Sequence, residues 1–185
     1  YGPYFIEQAL LVLPDARLTV QPGTVIWFRK FGIVAKGEIQ ILGTADNPVR
    51  FGSIGRETWK GLLLDHSQDD NILVHCVISG AQIGFRASNS KVAIRGSLFQ
   101  DNEWGIVLEG SSAEIQDSLI RTSRKSGLSA RKTSILVNGS TISENTRGGI
   151  LLEESQAKIQ GNNVTNNGEW EIKVREGKSE VDAKN

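Results

Sequence analysis

One turn of the sequence brings together four side chains that could contact a ligand: Asp65, His66, Asp69 and Asp70. Carboxylate and imidazole groups at this spacing can hydrogen-bond the hydroxyl groups of a sugar or contribute ligands to a metal ion. Turns of this composition more often form a solvated acidic loop at the protein surface. The turn is therefore a candidate ligand-binding site, although the loop interpretation is favoured.

Two tryptophans are further candidates for ligand binding. Trp59 and Trp104, like Trp170, each come shortly before a short strand-like segment. An exposed indole ring can stack on the face of a sugar ring. Tryptophan is also usually largely buried, and these residues lie at turns beside a column of small glycines. We therefore favour the alternative that they fill the space next to residues without side chains.

The composition argues against several classes of function. The 21 Lys and Arg residues balance 21 Asp and Glu residues, which disfavours electrostatic binding of nucleic acid or of an anionic membrane. No apolar run approaches the ~20 residues that a membrane span needs. Cys76 is the only cysteine, and its apolar neighbours favour a small core residue over a reactive thiol. We expect no metal, no cofactor, no nucleic-acid partner and no membrane insertion.

A repeat of about 22 residues organises the chain. Five glycines are separated by 23, 21, 22 and 22 residues, namely Gly61, Gly84, Gly105, Gly127 and Gly149. Each precedes a short segment that predicts a strand, whose side chains alternate between two faces. One repeat cannot bury its own apolar face, whereas stacked repeats place each inward residue about 4.8 Å from its equivalent.

Rows of residues that keep this spacing are predicted to point inward. The row that follows the glycines is Leu18, Ile39, Leu62, Phe85, Ile106, Leu128, Ile150 and Ile172. A second strand contributes two rows, Ile26, Val49, Ile72, Val92, Ala113, Ile135 and Ala157, and Phe28, Phe51, Val74, Ile94, Ile115, Val137 and Ile159. A third strand is clearest in the later repeats, where it contributes Ile78, Phe99, Ile120, Ile142 and Val164.

Polar turn residues repeat in the same register. One turn position holds Asn102, Ser123, Asn145 and Asn167, and another holds Ser90, Ser111, Thr133 and Ser155. We expect these side chains to bond to the coils above and below. The sequence thus predicts an all-β, single-domain, right-handed parallel β-helix over residues 1–175, with about eight coils of ~22 residues and three short strands per coil. Residues 176–185 are predicted to form a polar C-terminal tail or linker.

Three motifs resemble the opening coils of bacterial secreted β-helix proteins. They are PGT at residues 22–24, GTADNP at 43–48 and WKG at 59–61. The later coils resemble the parallel β-helix repeats of the pectate-lyase-like superfamily, so that the resemblance covers nearly the whole chain. It implies an extracytoplasmic location, which is periplasmic, cell-surface or secreted. The superfamily includes lyases, hydrolases, adhesins and proteins without known activity, so the fold alone implies no function.

The catalytic motifs of enzymes with this fold are incomplete here. Galacturonases resemble each other in four elements, of which the chain has only Asp69-Asp70. Pectate lyases need clustered Asp ligands for calcium and an Arg base. The outward row that would have to supply these residues is predicted to be Arg50, Leu73, Ala93, Glu114, Leu136 and Lys158. Its three apolar members interrupt it, so no catalytic residue and no metal ligand are assigned.

We therefore predict a non-catalytic extracytoplasmic β-helix module that acts as a scaffold or binds a glycan or a protein. The lack of Met and of a signal peptide leads us to expect a processed protein or a domain excised from a larger multidomain protein. The turns of the later coils are too short to wall a polysaccharide groove. The alternative is a carbohydrate-active enzyme, either a polysaccharide lyase or a hydrolase, or a fragment of one, with its site at the longer early turns.

Two further expectations test the register of the repeat. One row of side chains alternates between negative and positive charge and predicts a surface ladder of Glu109, Arg131, Glu153 and Arg175. Arg131 is expected within salt-bridge distance of Glu109 or Glu153. The apolar segment from Tyr4 to Leu13 is expected to cover the first coil, because the end of a solenoid has unpaired backbone groups.

Substitutions at an inward and an outward position should differ sharply in their effect on stability. Ile106→Asp or Ile150→Asp should lower the free energy of unfolding by roughly 4 kcal/mol or more, because each buries an unpaired charge between two coils. Glu114→Ala, at an outward position, should change it by less than about 0.5 kcal/mol. Denaturant unfolding measures both. Equal losses would mean that the register is wrong by one residue and that every face assignment inverts.

Overall fold

The protein is a parallel β-helix of eight coils, seen in a computed structural model that describes residues 2–55, 57–67 and 70–181. The fold class predicted from the repeat is confirmed. Among the described residues, no helix has the length and apolar character that a membrane crossing requires.

The strands follow the chain in groups of three per coil. Coils 1 to 4 contain β1 (Tyr4–Ile6), β2 (Leu10–Val12), β3 (Arg17–Val20), β4 (Val25–Phe28), β5 (Ile33–Ala35), β6 (Glu38–Leu42), β7 (Val49–Ser53), β8 (Leu62–Asp65), β9 (Asn71–Val74), β10 (Cys76–Ser79), β11 (Ile83–Ser88) and β12 (Lys91–Arg95). Coils 5 to 8 contain β13 (Leu98–Gln100), β14 (Trp104–Glu109), β15 (Ser112–Gln116), β16 (Leu119–Arg121), β17 (Ser126–Arg131), β18 (Ser134–Asn138), β19 (Thr141–Ser143), β20 (Gly148–Gln160), β21 (Asn163–Thr165) and β22 (Trp170–Val181).

Parallel pairing of equivalent strands forms three faces. The first face is the sheet β1-β4-β7-β10-β13-β16-β19-β21. The second face joins β2, β5, β8, β11, β14 and β17 to the first halves of β20 and β22. The third face joins β3, β6, β9, β12, β15 and β18 to their second halves. In the last two coils the two faces share one long strand, since β20 and β22 continue around the corner between them.

The later coils have the predicted register. Ile106 pairs with Phe85 and Leu128, and Ile150 pairs with Leu128 and Ile172. Ile106 and Ile150 are fully buried, whereas Glu114 lies on the outer surface in an ion pair with Arg95. The row from Ile78 to Val164 is also confirmed as an inward row of the first face.

The early coils depart from the predicted rows. Leu18 and Ile39 pair with each other on the third face, and the row of Leu62 begins instead at Leu10 and Ile33. The spacing of apolar residues alone could not show which face a row belongs to, because all three faces repeat once per coil. The equivalent of Ile39 in the next coil is residue 71, since the third coil is lengthened by its turns.

Four other early residues were assigned to the wrong strand, and two to the wrong side. Ile26, Phe28, Val49 and Phe51 lie on the first face. Ile72 and Val74 are half-buried, and Asn71 and Leu73 point inward in their place. The inward Asn71 is satisfied by hydrogen bonds: its Oδ1 accepts from Ile39 N at 2.9 Å, and its Nδ2 donates to Ser67 Oγ at 2.9 Å.

From the fourth coil onward, most corners between faces repeat a residue with positive φ followed by Ser, Thr or Asn. The third-to-first corner carries His75, Gly96, Asp117, Gly139 and Gly161 at the positive-φ position. The residue that follows bonds to the neighbouring coil, as where Ser97 N donates to Ser118 Oγ at 3.2 Å. The predicted bonding between stacked turn residues is therefore confirmed, here and in the ladder in which Ser123 N donates to Asn145 Oδ1 at 3.0 Å.

The glycine column exists because this ladder leaves no room for a side chain. A Cβ atom on Gly127 would come within 2.6 Å of Asn145 Nδ2 and within 2.9 Å of Ile142 Cγ2. Both of these neighbours are buried, so neither can move aside cheaply. The glycine repeat read from the sequence therefore marks the corner at which the chain enters the second face.

Both ends of the solenoid differ from expectation. The segment from Tyr4 to Leu13 forms the first coil itself and does not cover it. Phe5 points outward and is 62% exposed, whereas Ile6 packs against the core. At the other end β22 continues to Val181, so that residues 176–181 pair with β20 and do not form a tail. Residues 182–185 of the predicted tail lie outside the described residues.

The charge ladder has the predicted register but only part of the predicted pairing. Glu109, Arg131, Glu153 and Arg175 are consecutive partners on four coils. Arg175 Nη1 lies 2.8 Å from Glu153 Oε1. Arg131 Nε lies 3.9 Å from Glu154 Oε1, and Arg131 does not pair with its neighbours in the row. Glu154 is the positive-φ corner residue that follows Glu153 on the next coil, so its carboxylate lies close to Arg131.

The corner ladder should contribute measurably to stability. Asn145→Ala removes the acceptor of the Ser123 amide and the donor to Ile120 O, and should lower the free energy of unfolding by about 2 kcal/mol or more. Asn138→Ala, at an exposed position of the preceding coil, should change it by less than about 0.5 kcal/mol. Denaturant unfolding of both variants tests this. A silent Asn145→Ala would show that the ladder is not a source of stability.

Candidate functional site

An open groove lies along the third face and is here called the third-face groove. It has a volume of about 1290 Å³ and extends from Asp70 in coil 3 to Glu180 in coil 8. At about 4.8 Å per coil, five steps make it roughly 24 Å long. The groove therefore follows the axis of the solenoid and suits an extended ligand.

Small outward side chains make this face concave. Ala93, Ser112 and Ser134 are outward residues of β12, β15 and β18. Longer side chains such as Lys91, Arg95, Glu114 and Lys158 stand beside them and also line the groove. The depression is therefore formed by strand residues and needs no long turns as walls, which the sequence argument had required.

The polar groups of the groove alternate in charge. Lys91 Nζ lies 2.9 Å from Asp70 Oδ1, and Arg95 Nη2 lies 3.1 Å from Glu114 Oε2. The hydrogen bond and the charge of Lys91 lower the pKa of Asp70 below its ordinary value. Lys158 and Glu180 are register partners further along. The site can offer hydroxyl, amide, ammonium and carboxylate groups to a polar ligand.

Of the predicted turn site, the structure places Asp65 and His66 at a corner and Asp70 in the third-face groove. His66 Nδ1 lies 2.7 Å from Asp65 Oδ1, and both residues lie at the corner between the second and third faces. His66 adopts a positive φ of 56°, so it holds the same corner position as Asn89 and Gly110. Asp70 belongs to the third-face groove, and Asp69 lies outside the described residues.

The two candidate tryptophans do not join this turn. Trp59 is fully buried, stacked on Phe28 with ring centroids 4.5 Å apart, and its Nε1 donates to Ser79 O at 2.8 Å. It therefore presents no ring face to a ligand and acts as a core residue. Trp104 is half-buried at the start of β14, with Lys125 Nζ 5.0 Å from its ring centroid.

Most residues of the groove were not recognised from the sequence. Ser112, Ser134, Gln156 and Lys178 are consecutive register partners in one outward column. The sequence feature that could have revealed the groove is the small or polar residue at the first position of each third-face strand in the later coils. The predicted outward row also had two errors in its early members: Arg50 lies on the first face, and Leu73 stands one residue out of register in place of Ile72.

One protein-family model matches residues 22–182 of the chain, that described as periplasmic copper-binding protein (NosD). The chain belongs to the NosD family. The match spans the coils from the second onward, so it confirms the resemblance to bacterial extracytoplasmic β-helix proteins. Because the family is described as periplasmic, the predicted extracytoplasmic location is also confirmed. No curated protein and no solved structure matches the chain.

Cys76 of this NosD-family chain is a core residue. It is buried where β10 begins, and desolvation raises the pKa of its thiol to about 12. The thiol also contacts Ser97 Oγ at 3.4 Å. Since the thiolate is the reactive form, the thiol is protonated and unreactive near neutral pH.

Alkylation should distinguish the native from the unfolded thiol. Because the pKa is raised from 9.0 to about 12, the native thiolate fraction is reduced at every pH below 9, and iodoacetamide should modify folded Cys76 more than about a hundred-fold more slowly than the unfolded chain. Mass spectrometry with and without guanidinium chloride measures both rates. Comparable rates would place Cys76 in a reactive environment instead.

Proposed function

We propose that the protein is an extracytoplasmic binding module that holds a glycan chain in the third-face groove. The observation that carries this proposal is the length of the groove, roughly 24 Å of continuous strand surface on which hydroxyl, amide and charged side chains stand among small and apolar ones. A rigid strand surface holds binding groups more accurately than loops do. A scaffold role alone would not need such a surface.

The chemistry of the groove supports a glycan over a highly charged polymer. Its hydrogen-bonding groups include the hydroxyls of Ser112 and Ser134 and the amide of Gln156. The cations Lys91, Arg95, Lys158 and Lys178 outnumber the carboxylates Asp70, Glu114 and Glu180 by one. A nearly balanced site does not supply the counterion release on which nucleic-acid binding depends. A neutral or weakly acidic glycan fits it best.

Copper binding, which the family description names, does not fit the donors of this chain. Copper(I) sites prefer thiolate and thioether ligands, but the chain has no Met and its single cysteine is buried and protonated. His66 and His75 lie at different corners of the coil. Within the described ranges, no group of three His, Cys, Asp or Glu side chains could hold a metal ion.

A steric block tests the groove. Ser134→Trp fills its centre, whereas Ser129→Trp adds the same bulk to the second face of the same coil. A glycan array should identify a bound glycan, and calorimetry should then show an affinity loss of at least about ten-fold for Ser134→Trp and little change for Ser129→Trp. Circular dichroism confirms that both variants fold.

Two results would contradict the proposal. One is equal affinity of the two tryptophan variants, which would move the glycan away from the groove. The other is turnover of a bound polysaccharide, measured as absorbance of unsaturated uronate products or as new reducing ends, which would make the protein a carbohydrate-active enzyme.

A further inference from the structure

A second, apolar groove lies on the N-terminal half of the second face. We call it the second-face groove; it has a volume of about 410 Å³. One wall is the outward column in which Val34 pairs with Leu63 and Leu63 pairs with Arg86. Gly32 and Gly61 also line it. It lies on another face from the third-face groove.

The surface beside this groove is unusually apolar for a solvated sheet. Phe31 on its lining is 46% exposed, and Leu11, which precedes Val34 in the outward column, is 62% exposed. Large exposed apolar residues that form one continuous patch mark an interaction site, whereas scattered ones do not. Leu11, Val34 and Leu63 are successive register partners, so they form such a patch.

The charged residues that line the groove have one sign. Its two charged lining residues, Lys60 and Arg86, are both cations, and no carboxylate lines it within the described part of the chain. Arg86 Nε is buried and has no hydrogen-bond partner among the described residues, while its Nη2 lies 3.6 Å from Glu109 Oε2. The Arg86 side chain is 41% exposed, so the guanidinium N–H groups that do not face Glu109 can donate to an incoming carboxylate.

The dimensions of the groove suit a short extended peptide. From Gly32 to Arg86 the lining spans coils 2 to 4, and the apolar column extends it to Leu11 in coil 1. Three steps of about 4.8 Å give roughly 14 Å, which an extended chain covers with about four residues. An acyl chain would need a pocket that encloses most of its surface, and the exposure of Leu11 and Phe31 shows an open surface instead.

We propose that the second-face groove binds an extended segment of a partner protein that carries large apolar side chains next to a carboxylate. The apolar side chains pack on Val34, Leu63 and Phe31. The carboxylate accepts hydrogen bonds from Arg86 and neutralises Lys60. Aromatic and arginine anchors of this kind dominate the energy of protein interfaces.

Blocked tetrapeptides provide the probe. One contains leucine, phenylalanine, leucine and aspartate, and the other has lysine in place of aspartate. Fluorescence anisotropy should show that the protein binds the aspartate peptide at least about ten-fold more tightly than the lysine peptide. Arg86→Gln should remove this preference, because it deletes the cation and keeps most of the side-chain length.

A matched pair of variants locates the binding surface. Leu63→Asp places a repelling charge in the groove and should weaken binding of the aspartate peptide by at least about ten-fold. Leu151→Asp makes the same change in the same outward column, three coil steps beyond Arg86, and should leave binding unchanged. Thermal unfolding confirms that both variants are folded.

Three outcomes would overturn the proposal. The first is that neither peptide binds, or that both bind equally. The second is that Leu63→Asp and Leu151→Asp weaken binding to the same extent. The third is that dodecanoate binds the groove more tightly than the aspartate peptide and displaces it, which would assign the groove to a lipid.

Discussion

Each coil of this protein is held in place by an equivalent residue about 4.8 Å away on the next coil, and the rest of the structure depends on that stacking. An inward side chain must be apolar, or it must find a partner inside the solenoid. Asn71 shows the second case, since its amide bonds Ile39 N, Ser67 Oγ and Lys91 O in place of apolar contacts. At most corners of the later coils a positive-φ residue is followed by Ser, Thr or Asn, whose side chain bonds to the neighbouring coil.

This preference at the corners explains two residues whose types would otherwise suggest metal binding or catalysis. His66 and His75 hold positive-φ corner positions that glycine, asparagine or aspartate hold in other coils. Histidine is among the residues enriched in this conformation. Their backbone role accounts for their presence without a metal or a catalytic task, which agrees with the poor fit of the donor set to copper.

Stacking restricts the inward and corner positions but leaves the outward columns free to vary. Small outward residues on the third face form a long groove of mixed polar and apolar lining, and a run of aliphatic residues on the second face forms a short apolar one. One scaffold thus presents two surfaces of different chemistry on different faces. Because each column extends along the axis, a change in ligand length needs only a change in the number of coils that share its pattern.

The sequence by itself determined the fold, the number of coils and the register from Gly84 onward, because the repeat there is regular and each inward position is filled by similar residues. The tertiary structure decided the early coils, since inserted turns lengthen the third coil and a one-coil spacing fits all three faces equally well. Leu18, Ile72 and Val49 were misplaced for that reason. It also decided the site: Trp59 is buried because Phe28 stacks on it, and the groove at Ser134 is a property of outward neighbours on different coils. Periodicity reveals which residues are equivalent, but not which outward columns combine into a concave surface.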